Sequence, residues 1–372
     1  MMENNPGTQP LLEVQNLSVD YAASNGIVHA VTDVSFTLHR GEVLGLAGES
    51  GSGKSTLAFA ISRLLRPPAL IASGKVIYHP RLRADQQQFE QSTLPVNVLD
   101  LTSEELRSFR WNELAIVFQS AMNALNPVMT IGAQIMDVLK THRPGMSGEA
   151  RKQRAIELLR LVGIASDRLK SYPHELSGGM RQRATIAIAL ALNAEIIIMD
   201  EPTTALDVVV QREILTEILH LREQLHFSVI FITHDLSLLI EMADLIAIMY
   251  AGRIVERGTQ RDLYLRPRHP YSYGLIHSFP TLHGPRRRAL GIPGSPPDLR
   301  AVPLGCAFHP RCPLAFGACT THLPALRPVT AGSESEQQAA CHLYDVRFTS
   351  EAPTTQTIAA QYAALAEGSG TR

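Results

Sequence analysis

Cysteine is absent from this 372-residue chain until position 306, and only four occur in all. That excludes a scaffold stapled throughout by disulfides; the late cluster points to a metal or a small local staple. Long apolar runs are also missing. The richest, Ala184 to Met199, is broken by Thr185, Asn193 and Glu195, and Ser228 to Tyr250 carries His234, Asp235, Glu241 and Asp244. A membrane span needs ~20 predominantly apolar residues, so none is expected here. The opening MMENNPGTQP has no basic stretch and no apolar stretch, so no secretory signal is expected either. No charge sign dominates. The 34 basic and 35 acidic residues leave a net charge of −1, which argues against a nucleic-acid binder working through a global basic field.

What is present is an ordinary globular composition, 45% apolar and 19% charged, at a length that suggests two domains. Residues 1–10 read as a disordered N-terminus. Strand and helix patterns alternate over 11–260, an α/β arrangement. Proline and glycine then become dense, which reads as a small loop-rich domain over 261–347 holding the cysteines. Residues 348–372 read as a flexible tail in which IAAQYAALAE is able to form a helix. Two polar features stand apart: Arg81 to Leu99 reads as an excursion off a sheet edge, and Arg286–Arg288 as a solvated loop.

The most informative motif is Gly48-Glu49-Ser50-Gly51-Ser52-Gly53-Lys54-Ser55, which fits G-x-x-x-x-G-K-[ST]. An apolar strand, Glu42 to Ala47, runs into it, and a helix from Ser55 leaves it. Glycines let backbone N–H groups turn inward around an anion, and the helix N-terminus adds partial positive charge. Gly48, Ser50, Gly51, Gly53, Lys54, Ser55 and Thr56 are therefore candidates for phosphate binding. Lys54 is suited to reach β/γ-phosphates and Ser55 to ligate Mg²⁺. A Gly-rich turn that binds nothing is the alternative, and the flanking strand and helix disfavour it.

A second short apolar strand, Ile196 to Asp200, ends in two acids, Asp200 and Glu201. In an open α/β sheet such strand ends face the phosphate site. Asp200 is suited to hold Mg²⁺ and Glu201 to act as general base on water. Alone, the pair would equally suit a capping role; beside a phosphate loop the catalytic reading is favoured.

Leu176-Ser177-Gly178-Gly179-Met180-Arg181-Gln182-Arg183 resembles the LSGGQ-type signature of ABC ATPases, with Met180 in place of the usual Gln. The resemblance implies a P-loop ABC-type nucleotide-binding domain with a mixed sheet core and a helical signature subdomain. It implies that Ser177, Gly178 and Gly179 close on ATP held by a partner domain. It also assigns Gln119 as the Q-loop glutamine and a Mg²⁺ contact, Asp207 to the D-loop, His234 as the switch histidine at the γ-phosphate, and Tyr21 as the aromatic under adenine. Without it, Gln119, His234 and Tyr21 would read as a strand-end polar residue, a capped histidine and a core aromatic. FQSAMNALNPVMTIG (Phe118 to Gly132), TTALDVVVQ (Thr203 to Gln211) and His269-Pro270-Tyr271 further resemble ATP-binding subunits of the dipeptide/oligopeptide permease family. So does Cys306-Ala-Phe-His-Pro-Arg-Cys-Pro313, similar to that family's appended domain.

Cys306, Cys312, Cys319 and Cys341 follow C-x5-C-x6-C-x21-C. Paired C-x2-C turns, the common zinc pattern, are missing. The family resemblance favours a [4Fe–4S] cluster; Zn²⁺ and free thiols stay open, and His342 reads as a bystander.

The expected function is ATP hydrolysis, with ATP and Mg²⁺, in the energy-coupling subunit of a binding-protein-dependent ABC importer. The cargo implied by the resemblance is a di- or oligopeptide, with oligosaccharide or nickel as alternatives. Expected partners are two transmembrane permease subunits, an extracytoplasmic substrate-binding protein and a second ATPase, a heterodimer over a homodimer. The expected place is the cytoplasmic face of the cell membrane. A soluble ABC ATPase acting on nucleic acid or ribosomes is disfavoured. Only 123 residues separate Lys54 from Ser177, too few for a long coiled-coil insertion, and there is one phosphate loop and one signature.

Overall fold

The computed structural model describes residues 9–24, 26–81, 94–119, 124–204, 206–278, 291–329 and 337–368. The expected N-terminal disorder before residue 9, most of the 81–99 excursion and Arg286–Arg288 lie outside them.

Two long strands, β1 (Pro10–Ala23) and β2 (Gly26–His39), form an antiparallel pair. The strand β3 (Val43–Ala47) is buried at all five positions and leads into α1 (Lys54–Ile61). β4 (Ala69–Tyr78) pairs with β1, and the short β5 (Val96–Asn97) adds to its far side. The result is a four-stranded antiparallel sheet ordered β2-β1-β4-β5. The described end of the 81–99 segment therefore sits at a sheet edge, as its composition suggested.

The helix α2 (Ser103–Asn112) starts with a reciprocal capping box between Thr102 and Glu105. β6 (Leu114–Val117) follows. A helical layer comes next: α3 (Ile131–His142), α4 (Gly148–Leu161) and α5 (Gly178–Ala189), each opened by a hydroxyl cap from Thr130, Ser147 and Ser177 respectively. The chain then alternates β7 (Ile196–Asp200), α6 (Val208–Leu225), β8 (Ser228–Ile232), α7 (Leu236–Met242), β9 (Leu245–Tyr250) and β10 (Arg253–Thr259). Short helices α8 (Gln260–Leu265), α9 (Pro270–His277) and α10 (Gly317–Thr321) precede two-residue strands β11 (Arg327–Pro328) and β12 (Gln338–Ala339).

The second sheet has eight strands in the order β11-β12-β10-β9-β3-β8-β7-β6. The five strands from β9 to β6 pair in parallel, and the β10 side is antiparallel. β7 and β8 are buried on both faces, which explains their continuous Ile/Val/Phe composition. Their side chains alternate between two cores. Ile197, Met199, Val229 and Phe231 pack with the helical layer, whereas Ile196, Ile198, Ile230 and Ile232 pack with α1 and the antiparallel sheet. This sandwich places β3 centrally, so the loop after it opens at the middle of the sheet's C-terminal edge.

The loop-rich region is continuous with this body. β12 pairs with β10 through Glu256–Ala339 and Arg257–Gln338, and Phe308 is buried in the first core against Tyr250 and Tyr271. In the tail, the helix that IAAQYAALAE permits is formed as α11 (Thr355–Gly368). It buries Ile358 and Tyr362, and the Tyr362 hydroxyl donates to Pro270 O at 2.9 Å. Among the described residues no helix is long and apolar enough to cross a membrane.

Candidate active site

The loop from β3 to α1 curls because two of its glycines can do what other residues cannot. Gly48 (φ 151°) and Gly53 (φ 101°) take left-handed conformations, and a Cβ at either would strike backbone oxygens of Met249 or Ala30. Lys54 is 5% exposed, and its ammonium donates to Gly48 O (2.8 Å), Glu49 O (2.9 Å) and Ser52 Oγ (3.3 Å). Burial lowers its pKa; Glu201, Asp200 and Glu49 pull the other way. A buried cation inside a glycine cradle at a helix start fits a polyphosphate.

Parallel pairing brings β7 to the same edge. Ser55 Oγ donates to Asp200 Oδ1 at 3.0 Å. Burial raises the Asp200 pKa, and the Ser55 hydrogen bond opposes the rise. A hydroxyl and a carboxylate in contact are hard oxygen donors of the kind Mg²⁺ takes, so these residues fit the ion. Glu201, one residue on, has φ 45°, a left-handed conformation uncommon outside glycine. Its Oε2 accepts from Gln119 Nε2 (2.9 Å) and Thr204 Oγ1 (3.0 Å), and its Oε1 lies 3.3 Å from His234 Nδ1. The structure thus joins Lys54, Ser55, Asp200, Glu201, Gln119 and His234 in one cluster assembled from β3, β6, β7 and β8. Tyr21 reaches it indirectly, its hydroxyl 3.3 Å from Thr56 Oγ1.

The signature residues are held elsewhere. Ser177 Oγ caps α5 by accepting from Met180 N, and a Cβ on Gly179 would press on Val210 of α6. Asp207 caps α6, accepting from Val209 N and Val210 N. Two hydrogen-bonding edges on separate elements are what a nucleotide sandwiched between two such domains requires.

Three residues escaped sequence reasoning. Thr204 braces Glu201. Glu49, a variable position of the loop motif, forms a two-pronged ion pair with Arg311 (2.7 and 2.9 Å), and its N–H donates to the Tyr271 hydroxyl at 2.8 Å. Arg311 lies 262 positions away, so no local spacing signals the pair.

The four cysteines are unpaired, and all sit below the surface or partly so. Burial, with mutual repulsion for three of them, pushes Cys306 up to about 11 and Cys312 up to about 12, with Cys341 well above its usual range and Cys319 also raised. Their side chains nonetheless do not close on one another: among the described residues no group of three or more His, Cys, Asp or Glu is arranged to hold a metal ion.

This fold and cluster define an ATP-binding cassette ATPase. Residues 31–204 match the ABC transporter family model, and residues 255–319 match the oligopeptide/dipeptide transporter C-terminal region. The oligopeptide transport ATP-binding protein OppD of Salmonella typhimurium is 42% identical over 316 residues, covering 84% of this chain and 89% of that protein. The dipeptide transport ATP-binding protein DppD of Lactococcus lactis is 44% identical over 305 residues, covering 82% and 83%. Among solved structures, the dimeric ATP-binding cassette MJ0796 in a post-hydrolysis state with ADP and Pi superposes with a TM-score of 0.56 at 29% identity, covering 68% of this chain and 99% of that one. The chain belongs to the ATP-binding proteins of the oligopeptide/dipeptide ABC transporter family.

Proposed function

We propose that this ATPase is the energy-coupling subunit of a binding-protein-dependent importer of di- or oligopeptides, working at the cytoplasmic face of the membrane. The observation that carries the mechanism is the Glu201 carboxylate, braced by Gln119, Thr204 and His234 one residue beyond Asp200. Lys54 and the loop amides bind the β/γ-phosphates. Mg²⁺, held by Ser55 and Asp200 with Gln119 nearby, would supply charge neutralisation at the phosphates. Glu201 takes the proton of the attacking water, His234 contacts the γ-phosphate, and Tyr21 stacks under adenine. Ser177, Gly178 and Gly179 serve the nucleotide of a partner ATPase, with Asp207 at the same interface. Closure needs nucleotide and both partners, so binding moves the membrane subunits and hydrolysis resets them.

Supporting a permease partner is a cavity of about 550 Å³ between the end of β6 and α3, lined in part by Trp111, Phe118, Leu125, Met129 and Val138. It is mostly apolar, next to Gln119, and suits a helical segment of a membrane subunit. The peptide cargo rests on the names of the relatives, and these favour it over oligosaccharide or nickel. A second, different ATPase is proposed as partner, since the full motif set here permits either pairing and the family resemblance leans to a heterodimer. For the cysteines we propose a [4Fe–4S] cluster, supported by four thiols, one buried and three partly buried, in one small region of the fold; Zn²⁺ is the rival. It requires the thiols to draw together on loading.

Affinity purification from gently solubilised membranes tests the assembly. Two permease subunits, a second ATPase and a peptide-loaded binding protein are expected; co-purification with ribosomes or nucleic acid alone would overturn it. Iron, sulfide and zinc analysis after anaerobic purification tests the cluster.

A further inference from the structure

The ion pair between Glu49 and Arg311 joins the phosphate loop to the segment between Cys306 and Cys312. Arg311 is 7% exposed and closes a short turn, its N–H donating to Phe308 O. Its guanidinium is aimed from several sides: Nε donates to Pro293 O (2.7 Å), Nη2 to Gly294 O (3.3 Å) and Nη1 to the Tyr250 hydroxyl (3.3 Å). The remaining donors grip both oxygens of Glu49. Burial works against the Arg311 charge, but Glu49 and Tyr250 more than restore it and hold the guanidinium above its ordinary value. Such a bidentate fork fixes geometry as well as charge.

The acid it grips stands in an awkward place. Glu49 is the residue after Gly48, its carbonyl accepts from the Lys54 ammonium, and its charge is felt at Lys54. A free carboxylate there would compete with phosphate for Lys54 and repel a polyanion. We propose that Arg311 is a positioning residue for ATP: it neutralises Glu49 and, with Tyr271 on the Glu49 N–H, holds the crest of the phosphate loop in its binding shape. The C-terminal region thereby sets the nucleotide affinity of the phosphate loop it packs against. This rests on residues 48–55 being the phosphate cradle.

The test is Mg²⁺-dependent binding of trinitrophenyl-ATP to the full-length chain, with thermal melting in parallel. Arg311→Met is expected to weaken binding about tenfold, within the usual span of coupling between sites. Glu49→Gln with Arg311→Met is expected to bind severalfold more tightly than Arg311→Met alone, since removing the acid removes the need for the base. A purely structural arginine would leave the double variant as weak as Arg311→Met, and that result overturns the proposal. So does unchanged affinity in Arg311→Met. If Arg311→Met does not fold, Arg311→Lys decides: weaker binding that deteriorates with added salt supports the proposal, and wild-type affinity at every salt concentration sinks it. Lys54→Ala separates the two readings, because retained binding there would show that the cradle itself was misassigned.

Discussion

Gln119 Nε2 donates to Glu201 Oε2 at 2.9 Å, across 82 positions of sequence, so the glutamine at the end of β6 orients the acid at the end of β7. Gln119 follows Phe118, which lines the apolar cavity, so the contact ties the cavity's neighbourhood to the proposed general base. A permease segment seated in that cavity, as proposed, would have a route to the carboxylate through Gln119.

Glu201→Gln should therefore retain ATP binding and lose hydrolysis by ~10²–10⁴, the usual weight of a general base. Equilibrium nucleotide binding and steady-state phosphate release, measured on the same preparation, check both halves. Unchanged turnover would remove Glu201 from its role.

Ser55→Ala deletes the hydroxyl that contacts Asp200 but leaves the glycine cradle intact. The Mg²⁺ concentration for half-maximal ATPase activity should rise by roughly ten- to a hundredfold, the scale seen when support of a metal site is lost. Titrating Mg²⁺ at saturating ATP reads this directly; an unaltered requirement would place the ion elsewhere.

A pH experiment follows from two fully buried neighbours. Burial raises Glu256 from 4.5 to about 7, against hydrogen bonds from the N–H groups of His269 and Arg268 and from Gln337. Burial also lowers His269 from 6.5 to about 3. The folded state holds the Glu256 proton more tightly than the unfolded chain, so its contribution is full below pH ~4.5 and is lost as pH rises toward ~7. His269 acts oppositely: its contribution is full above pH ~6.5 and is lost as pH falls toward ~3. Between about pH 4.5 and 6.5 the two trends offset each other. His269→Asn keeps an acceptor for the Tyr271 N–H and should expose the Glu256 trend. Relative to wild type, its stability should fall with rising pH by up to ~1.4 kcal/mol per unit. Chemical denaturation at several pH values measures it, and parallel wild-type and variant curves would refute the assignment.

Tyr362 tests whether the tail helix is integral. It is 2% exposed, packs on Tyr273 and donates to Pro270 O. Tyr362→Ala should cost about 3 kcal/mol, as other large-to-small core changes do. Urea unfolding decides: a difference near zero would mean that α11 is dispensable.

How much of this was legible beforehand depended on range. The phosphate loop and the acids at the end of β7 each carry their chemistry in a few adjacent residues, so composition and spacing sufficed, whereas the signature was legible through a family resemblance. The α/β class followed from the continuously apolar β3, β7 and β8. Thr204 was hidden because a threonine in a turn is unremarkable until Glu201 is seen to point at it. Glu49 and Arg311 were hidden for a different reason: each fills a position of its motif to which no chemistry was assigned, and only the folded chain brings positions so far apart into contact. The tail helix was legible as an option but not as a packed element, since its apolar face is short and its partner lies on α9.

The short strand β12 has a further consequence. Without it, β10 would present a row of unsatisfied amides and carbonyls at the margin of the large sheet, a ready template for another chain. Two residues of β12, with Pro328 in the equally short β11 beyond, close that margin with a stretch too brief and too interrupted to be extended. The C-terminal region thus also guards the cassette against edge-to-edge pairing with its own kind.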